Sequence, residues 1–150
     1  MYNRLLALEY AKKWALSFNP KYYNFTNIGG DCTNFVSQCL HAGNIPMNYN
    51  EYGWFYLSTY SRAPAWTGVN EFWDFGTNNA GIGLKLLPCS PLDVEVGDVI
   101  QLYNGFRFYH SLFVTSVNDG IKVAAHDNGA FDRPLDEYNF VSLRCSKVRN

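Results

Sequence analysis

Charge is scarce in this chain. Only 17% of its 150 residues are Asp, Glu, Lys or Arg, and they nearly cancel to a net charge of −1. No segment clusters Lys and Arg into a nucleic-acid footprint, so a nucleic-acid partner is excluded. No run approaches the roughly 18 apolar residues that a membrane-spanning helix needs. Met1-Tyr2-Asn3-Arg4 leads into an amphipathic pattern, not into the apolar core of a secretory leader. That start fits a cytosolic N-terminus or a cut domain boundary; a domain cut from a secreted protein would work outside the cell or at its wall. The four cysteines, Cys32, Cys39, Cys89 and Cys145, include no C-x-x-C pair, which argues against a zinc ribbon or a thioredoxin-like motif. Histidines number three, and no ligand spacing joins them to the cysteines, so neither a metal nor another cofactor is expected. Repeats and low-complexity tracts are absent, and nothing in the sequence specifies an oligomeric state.

Apolar residues, by contrast, make up 47% of the chain and aromatics 17%. A chain of this length can bury a real core, and residues 1–150 read as one domain. Leu6, Ala7, Tyr10, Ala11, Trp14, Ala15 and Phe18 share one face of a helix over 3–18, which Asn19-Pro20 ends. Phe35, Val36, Cys39 and Leu40 mark a second helix over 32–42, with Gly43 as its stop. From 43 to 93 the pattern is weak. Short helices are expected near 69–75 and 79–86, and the aromatic stretch 52–75 either lines a cleft or packs in the core. The last third turns to strands, at 99–103, 109–117, 121–127 and 141–148, with Asn118-Asp119-Gly120 as a hairpin turn. Helices first and an antiparallel meander second make an α+β domain.

The chemistry concentrates at Gly29-Gly30-Asp31-Cys32-Thr33-Asn34-Phe35. This run sets Cys32 at a helix N-terminus, where the dipole favours an anion by about 0.3–1 kcal/mol. A thiolate is such an anion and is the reactive form of cysteine. The Cys32 N–H is the first candidate to hold an oxyanion. A thiol nucleophile needs a base, and the base an orienting group. His41 lies about 13 Å along the helix axis from Cys32 and is a poor partner. A tight hairpin about Asp119 places His110 opposite residue 128, with His126 diagonal to it and within reach. His110, His126 and Asn128 then share one face, while Asp127 points to the other unless a bulge rotates it. This reading makes Cys32 the nucleophile, His110 the base, and His126 or Asn128 the orienter.

The same residues carry a family resemblance. Asp31-Cys32-Thr33-Asn34-Phe35-Val36, then Val96-Gly97-Asp98-Val99-Ile100, then His110-Ser111-Leu112-Phe113-Val114-Thr115 resemble the papain-like cell-wall hydrolases, the NlpC-type endopeptidases and CHAP amidases. The helix ending at Asn19-Pro20, the run Gly30–Leu40, Ala42-Gly43, Pro46-Met47, Trp66 and Arg133-Pro134-Leu135 resemble more closely the putative amidase domain of Gram-positive bacteria. The resemblance covers nearly the whole chain. It implies a papain-like fold, N-terminal helices packed on a small antiparallel sheet. It also implies a cysteine amidase or peptidase whose partner is a peptidoglycan peptide or another amide. Cys32 matches the nucleophile and His110 the base. His126 is the best match for the third polar residue, with Asn128 or Asp127 able to serve. Asp31 would cap the helix, fix the loop or touch substrate, and Tyr23 would bring its hydroxyl near the thiolate. The rival readings are a cysteine acyl transferase, a catalytically silent wall-binding or interaction module, and a metal site.

Overall fold

Six antiparallel strands and the helices packed on them place the candidate residues. The computed structural model describes residues 1–149. In chain order the elements are α1 (Arg4–Trp14), α2 (Cys32–Ala42), β1 (Tyr56–Ser58), β2 (Ser61–Arg62), α3 (Pro64–Thr67), α4 (Val69–Asn78), β3 (Lys85–Cys89), β4 (Val99–Tyr103), β5 (Phe108–Ser116), β6 (Lys122–Ala125), β7 (Ala130–Pro134) and β8 (Ser142–Arg149). The main sheet runs β3-β8-β4-β5-β6-β7, and β1-β2 form a separate small hairpin. The α+β reading holds.

α1 begins where Asn3 accepts the Leu6 N–H on its side-chain oxygen at 3.0 Å, a standard N-terminal cap. It buries a seam of Ala7, Ala11 and Ala15, whose small side chains let α1 lie close against α2. The helix is shorter than the expected 3–18. It ends at Trp14, and Leu6 and Phe18 stay 39% and 45% exposed rather than joining the core. α2 has its expected bounds. It is the central helix, with every residue from Cys32 to Leu40 buried, including Cys39. Beyond Gly43, Asn44 adopts φ 75°, the left-handed conformation that Asn tolerates better than most residues.

One face of the sheet packs on the helices through Phe35, Val36, Leu40, Phe72, Val99, Phe113 and Val148. The other carries Ile100, Leu102, Leu112, Val114 and Val123, covered by Leu135, Tyr138 and Phe140. The aromatic stretch belongs largely to the first core. Trp54 and Trp66 are fully buried beneath α2, donating their indole N–H groups to Ser37 Oγ (3.0 Å) and Asn34 Oδ1 (2.9 Å).

One expectation fails in the middle of the chain. The helix near 79–86 does not form; Gly81 and Gly83 interrupt it, Gly83 at φ 101°, and the chain continues as β3. β3 pairs with β8 far along the chain and packs on α4 at Gly76, where a Cβ would meet Leu86 at 2.5 Å. β7 was not foreseen, because Ala130–Pro134 has no clear alternation. The Gly97-Asp98 pair ties the ends of the chain together. Asp98, fully buried, accepts from Arg4 Nη1 at 2.7 Å and the Val148 N–H at 2.9 Å. Cys89 and Cys145 face each other on β3 and β8 as free thiols.

Candidate active site

Cys32 opens α2, and its thiol lies beside β5. There β6 has already ended at Ala125, so the Ser111 N–H turns to Cys32 Sγ at 3.5 Å instead of to a strand. Cys32 Sγ, a ring nitrogen of His110 and a carboxylate oxygen of Asp127 all lie within 4.8 Å of one another. Cys32 and His110 are buried, and Asp127 is partly so.

The hairpin geometry explains why Asp127, and not His126, joins them. Ser116 pairs with Lys122 as a tight turn requires. The register then shifts by one across Thr115, so Val114 pairs with Val123 and Phe113 with Ala124. A one-residue shift exchanges the faces of every position beyond it. His110 thereby comes opposite 127 rather than 128. Residues 126–129 form the turn into β7, with Asp127 at φ 64° and Asn128 at φ 69°, which frees Asp127 from the strand altogether.

Asp127 reaches across to the start of α2. Its Oδ1 accepts the Asp31 N–H at 2.8 Å and its Oδ2 the Cys32 N–H at 3.3 Å. A carboxylate from the turn between β6 and β7 thus satisfies helix N–H groups that would otherwise be orphaned. The Cys32 N–H foreseen as an oxyanion donor is therefore already committed. The approach depends on Gly30, at φ 98°, where a Cβ would stand 2.7 Å from Asp127 Oδ2. Gly30→Ala is expected to cost about 1–3 kcal/mol in urea denaturation, through positive-φ strain and displacement of that carboxylate.

His126 lies elsewhere than expected. Its Nδ1 is 2.5 Å from Asp31 Oδ2, and its Nε2 donates to the Trp14 carbonyl at 2.8 Å. Phe35 stacks on the ring with centroids 4.2 Å apart. With both nitrogens engaged and 2% of its surface exposed, His126 does not orient His110. Asp31 does not cap α2 with its side chain. Its Oδ1 accepts the Phe25 N–H (2.8 Å) and Asn34 Nδ2 (2.9 Å), so the carboxylate fixes the loop before the helix. Asn128 is exposed on the turn and does not face His110. Tyr23, 41% exposed, packs edge-on against Phe25 and makes no hydrogen bond to Cys32.

The electrostatics reverse the expectation of a ready thiolate. Burial pushes the Cys32 thiol up to about 11, the Ser111 N–H pulls it down, and the Asp127 carboxylate pushes it up again. Burial lowers His110 below the ordinary imidazole value, against an upward pull from Asp127. Both burial effects favour a neutral thiol beside a neutral imidazole. At the helix end the Asp31 and Cys32 N–H groups face Asp127, while the Thr33 N–H pulls the thiol down. The trio offers one sulfur, one nitrogen and one oxygen donor, so it also has the composition of a three-ligand metal site. Among the described residues, no helix is long and apolar enough to cross a membrane.

Relatives place the chain in a family. It is 35% identical over 126 residues to the uncharacterized protein YhbB of Bacillus subtilis (strain 168), a match covering 79% of this chain and 39% of that protein. It is 29% identical over 145 residues to the uncharacterized protein YjcM of the same organism, covering 90% of this chain and 33% of that protein. The chain therefore spans well under half the length of these relatives. No solved structure matches it. The family described as a putative amidase domain, a name that suggests amide hydrolysis, matches residues 1–146, and the chain belongs to that family.

Proposed function

We propose that the chain is a cysteine-dependent amide-bond hydrolase in which Cys32 is the nucleophile, His110 the base and Asp127 the orienting carboxylate. The observation that carries this is the meeting of thiol, imidazole and carboxylate within 4.8 Å, drawn from a helix start, a strand and a turn. A structural role explains each residue singly but gives no reason for the three to converge. Family membership supports amide hydrolysis as the reaction class. The resemblance to NlpC-type and CHAP enzymes supports a papain-like arrangement and a peptidoglycan stem peptide, or its sugar–peptide amide, as substrate.

On this reading the resting pair is neutral. As Sγ attacks the amide carbonyl, the thiol proton passes to His110, and the Asp127 carboxylate stabilises the imidazolium that forms. His110 then gives that proton to the leaving amine as the C–N bond breaks. A water deprotonated by His110 attacks the thioester, releasing the acid and regenerating the thiol. Burial of the thiol keeps it uncharged until substrate arrives.

The test is incubation of the purified chain with peptidoglycan, followed by labelling of newly freed amino groups and mass spectrometry of the fragments. Release by the wild type, its loss in Cys32→Ala and its persistence in EDTA are expected. Hydrolysis that survives Cys32→Ala would overturn the nucleophile. Hydrolysis abolished by EDTA and restored by zinc would assign the trio to a metal centre instead.

A further inference from the structure

A second set of polar residues stands behind Cys32, and none of it is used in the mechanism above. Gln101 on β4 is fully buried. Its Oε1 accepts from Arg144 Nε at 2.8 Å and Nη2 at 2.7 Å. Its Nε2 donates to the Val69 carbonyl at 2.9 Å and to Ser111 Oγ at 3.0 Å. Ser111 Oγ lies 2.8 Å from Thr33 Oγ1, and Thr33 Oγ1 lies 3.8 Å from Cys32 Sγ. Ser111 and Thr33 are also fully buried.

The directions at Gln101 are fixed by chemistry. A guanidinium only donates, so the Gln101 atom facing Arg144 is the oxygen. A carbonyl only accepts, so the atom facing Val69 is the nitrogen. The amide is therefore held in one orientation from both ends. Its N–H occupies a lone pair of Ser111 Oγ, which leaves the Ser111 hydrogen free to point on to Thr33 Oγ1 and the Thr33 hydrogen free for the sulfur. Arg144 is itself held between Trp73 and Phe108, its guanidinium carbon 4.3 and 3.8 Å from their ring centroids.

We propose that Arg144, Gln101, Ser111 and Thr33 form a one-way hydrogen-bond chain that aims the Thr33 hydroxyl proton at Cys32 Sγ. In this role Gln101 and Thr33 are positioning residues that favour the developing thiolate. The inference rests on Cys32 being the nucleophile, yet it is tested without turnover, so its failure is separable from failure of that reading.

The readout is the rate of Cys32 alkylation by iodoacetamide at pH 9, followed on the Cys32 peptide by mass spectrometry. At a pH well below the thiol's midpoint this rate tracks the thiolate fraction. Thr33→Val removes the donor, and the rate is expected to fall about tenfold, the range of a hydrogen bond to a charged group. Thr33→Ser keeps the hydroxyl and is expected to stay within about twofold of the wild type. Gln101→Glu keeps the Arg144 contact, loses the donor to the Val69 carbonyl and accepts from Ser111 instead of donating, which reverses both hydroxyls and turns Thr33 away from sulfur. It too is expected to slow alkylation about tenfold, with no further loss when combined with Thr33→Val. Unchanged alkylation in Thr33→Val would overturn the proposal. An equal slowing by Gln101→Glu with and without the Thr33 hydroxyl would also overturn it, because the effect would then be the added charge. Matching thermal transitions keep the comparison to folded protein.

Discussion

His110→Ala is expected to reduce kcat/KM by about 10³-fold or more, and Cys32→Ala to remove hydrolysis to background. The double variant should be no worse than Cys32→Ala alone, because a base without its nucleophile has nothing to deprotonate. The proposed mechanism also fixes the shape of the pH profile. His110 must be neutral to accept the thiol proton, and burial lowers its pKa below the ordinary imidazole value. Activity should therefore rise through an acid limb centred below the roughly 6.5 of a free imidazole. No loss from thiol ionisation is expected until near the thiol's midpoint of about 11. Asp127→Asn removes the carboxylate that pulls His110 upward and pushes Cys32 up, so it should move the acid limb lower and the thiol midpoint lower. Its rate should fall as well, since the imidazolium loses its partner. A bell centred on a thiolate–imidazolium pair, with alkylation already fast in mild acid, would contradict the neutral resting state.

The approach of Cys32 and His110 was legible in the sequence, and the place of Asp127 beside them was not. Cys32 announces itself through local signals: a Gly-Gly turn, a helix with clear periodicity and a correct start. His110 follows from the strand pattern and the resemblance together. The third position depends on a register, and the register depends on a bulge at Thr115 that nothing local marks. Without a bulge Asp127 would point to the other face; the shift between Ser116–Lys122 and Val114–Val123 is such a bulge. His126 misled because it stands beside Asp127 in the chain, while its surroundings come from α1, Asp31 and Phe35. The fold shows the same division. α2 and β4 were read to the residue, since one segment sets each of them. β3 depends on β8 and on Gly76 of α4, and its first residues fell inside the helix expected near 79–86. The surroundings of Cys32 were only partly legible for a related reason. A helix start favours an anion only while its N–H groups are free, and whether a distant carboxylate takes them is invisible in a local segment.

His126→Ala should show itself in stability before it shows itself in rate. The variant leaves the Asp31 carboxylate, 1% exposed, without the ring that faces its Oδ2, and leaves the Trp14 carbonyl without a donor. It also empties the space between Phe35 and Phe18, whose ring centroids lie 4.2 and 4.6 Å from that of His126. Leaving a buried polar group without its hydrogen-bond partner typically costs about 1–3 kcal/mol, and more for a carboxylate. That is a large share of the roughly 5–15 kcal/mol that holds a domain together. Urea denaturation should show the midpoint fall with little change in slope. Asp31→Asn is the graded version: it keeps the volume and an acceptor for the Phe25 N–H while removing the charge opposite His126. If His126 instead oriented the base, His126→Ala would act on the acid limb of the pH profile and leave the denaturation midpoint nearly in place. The structure predicts the opposite division. The limb stays where Asp127 and burial set it, and the loss falls on the loop and helix start that hold Cys32 against β5.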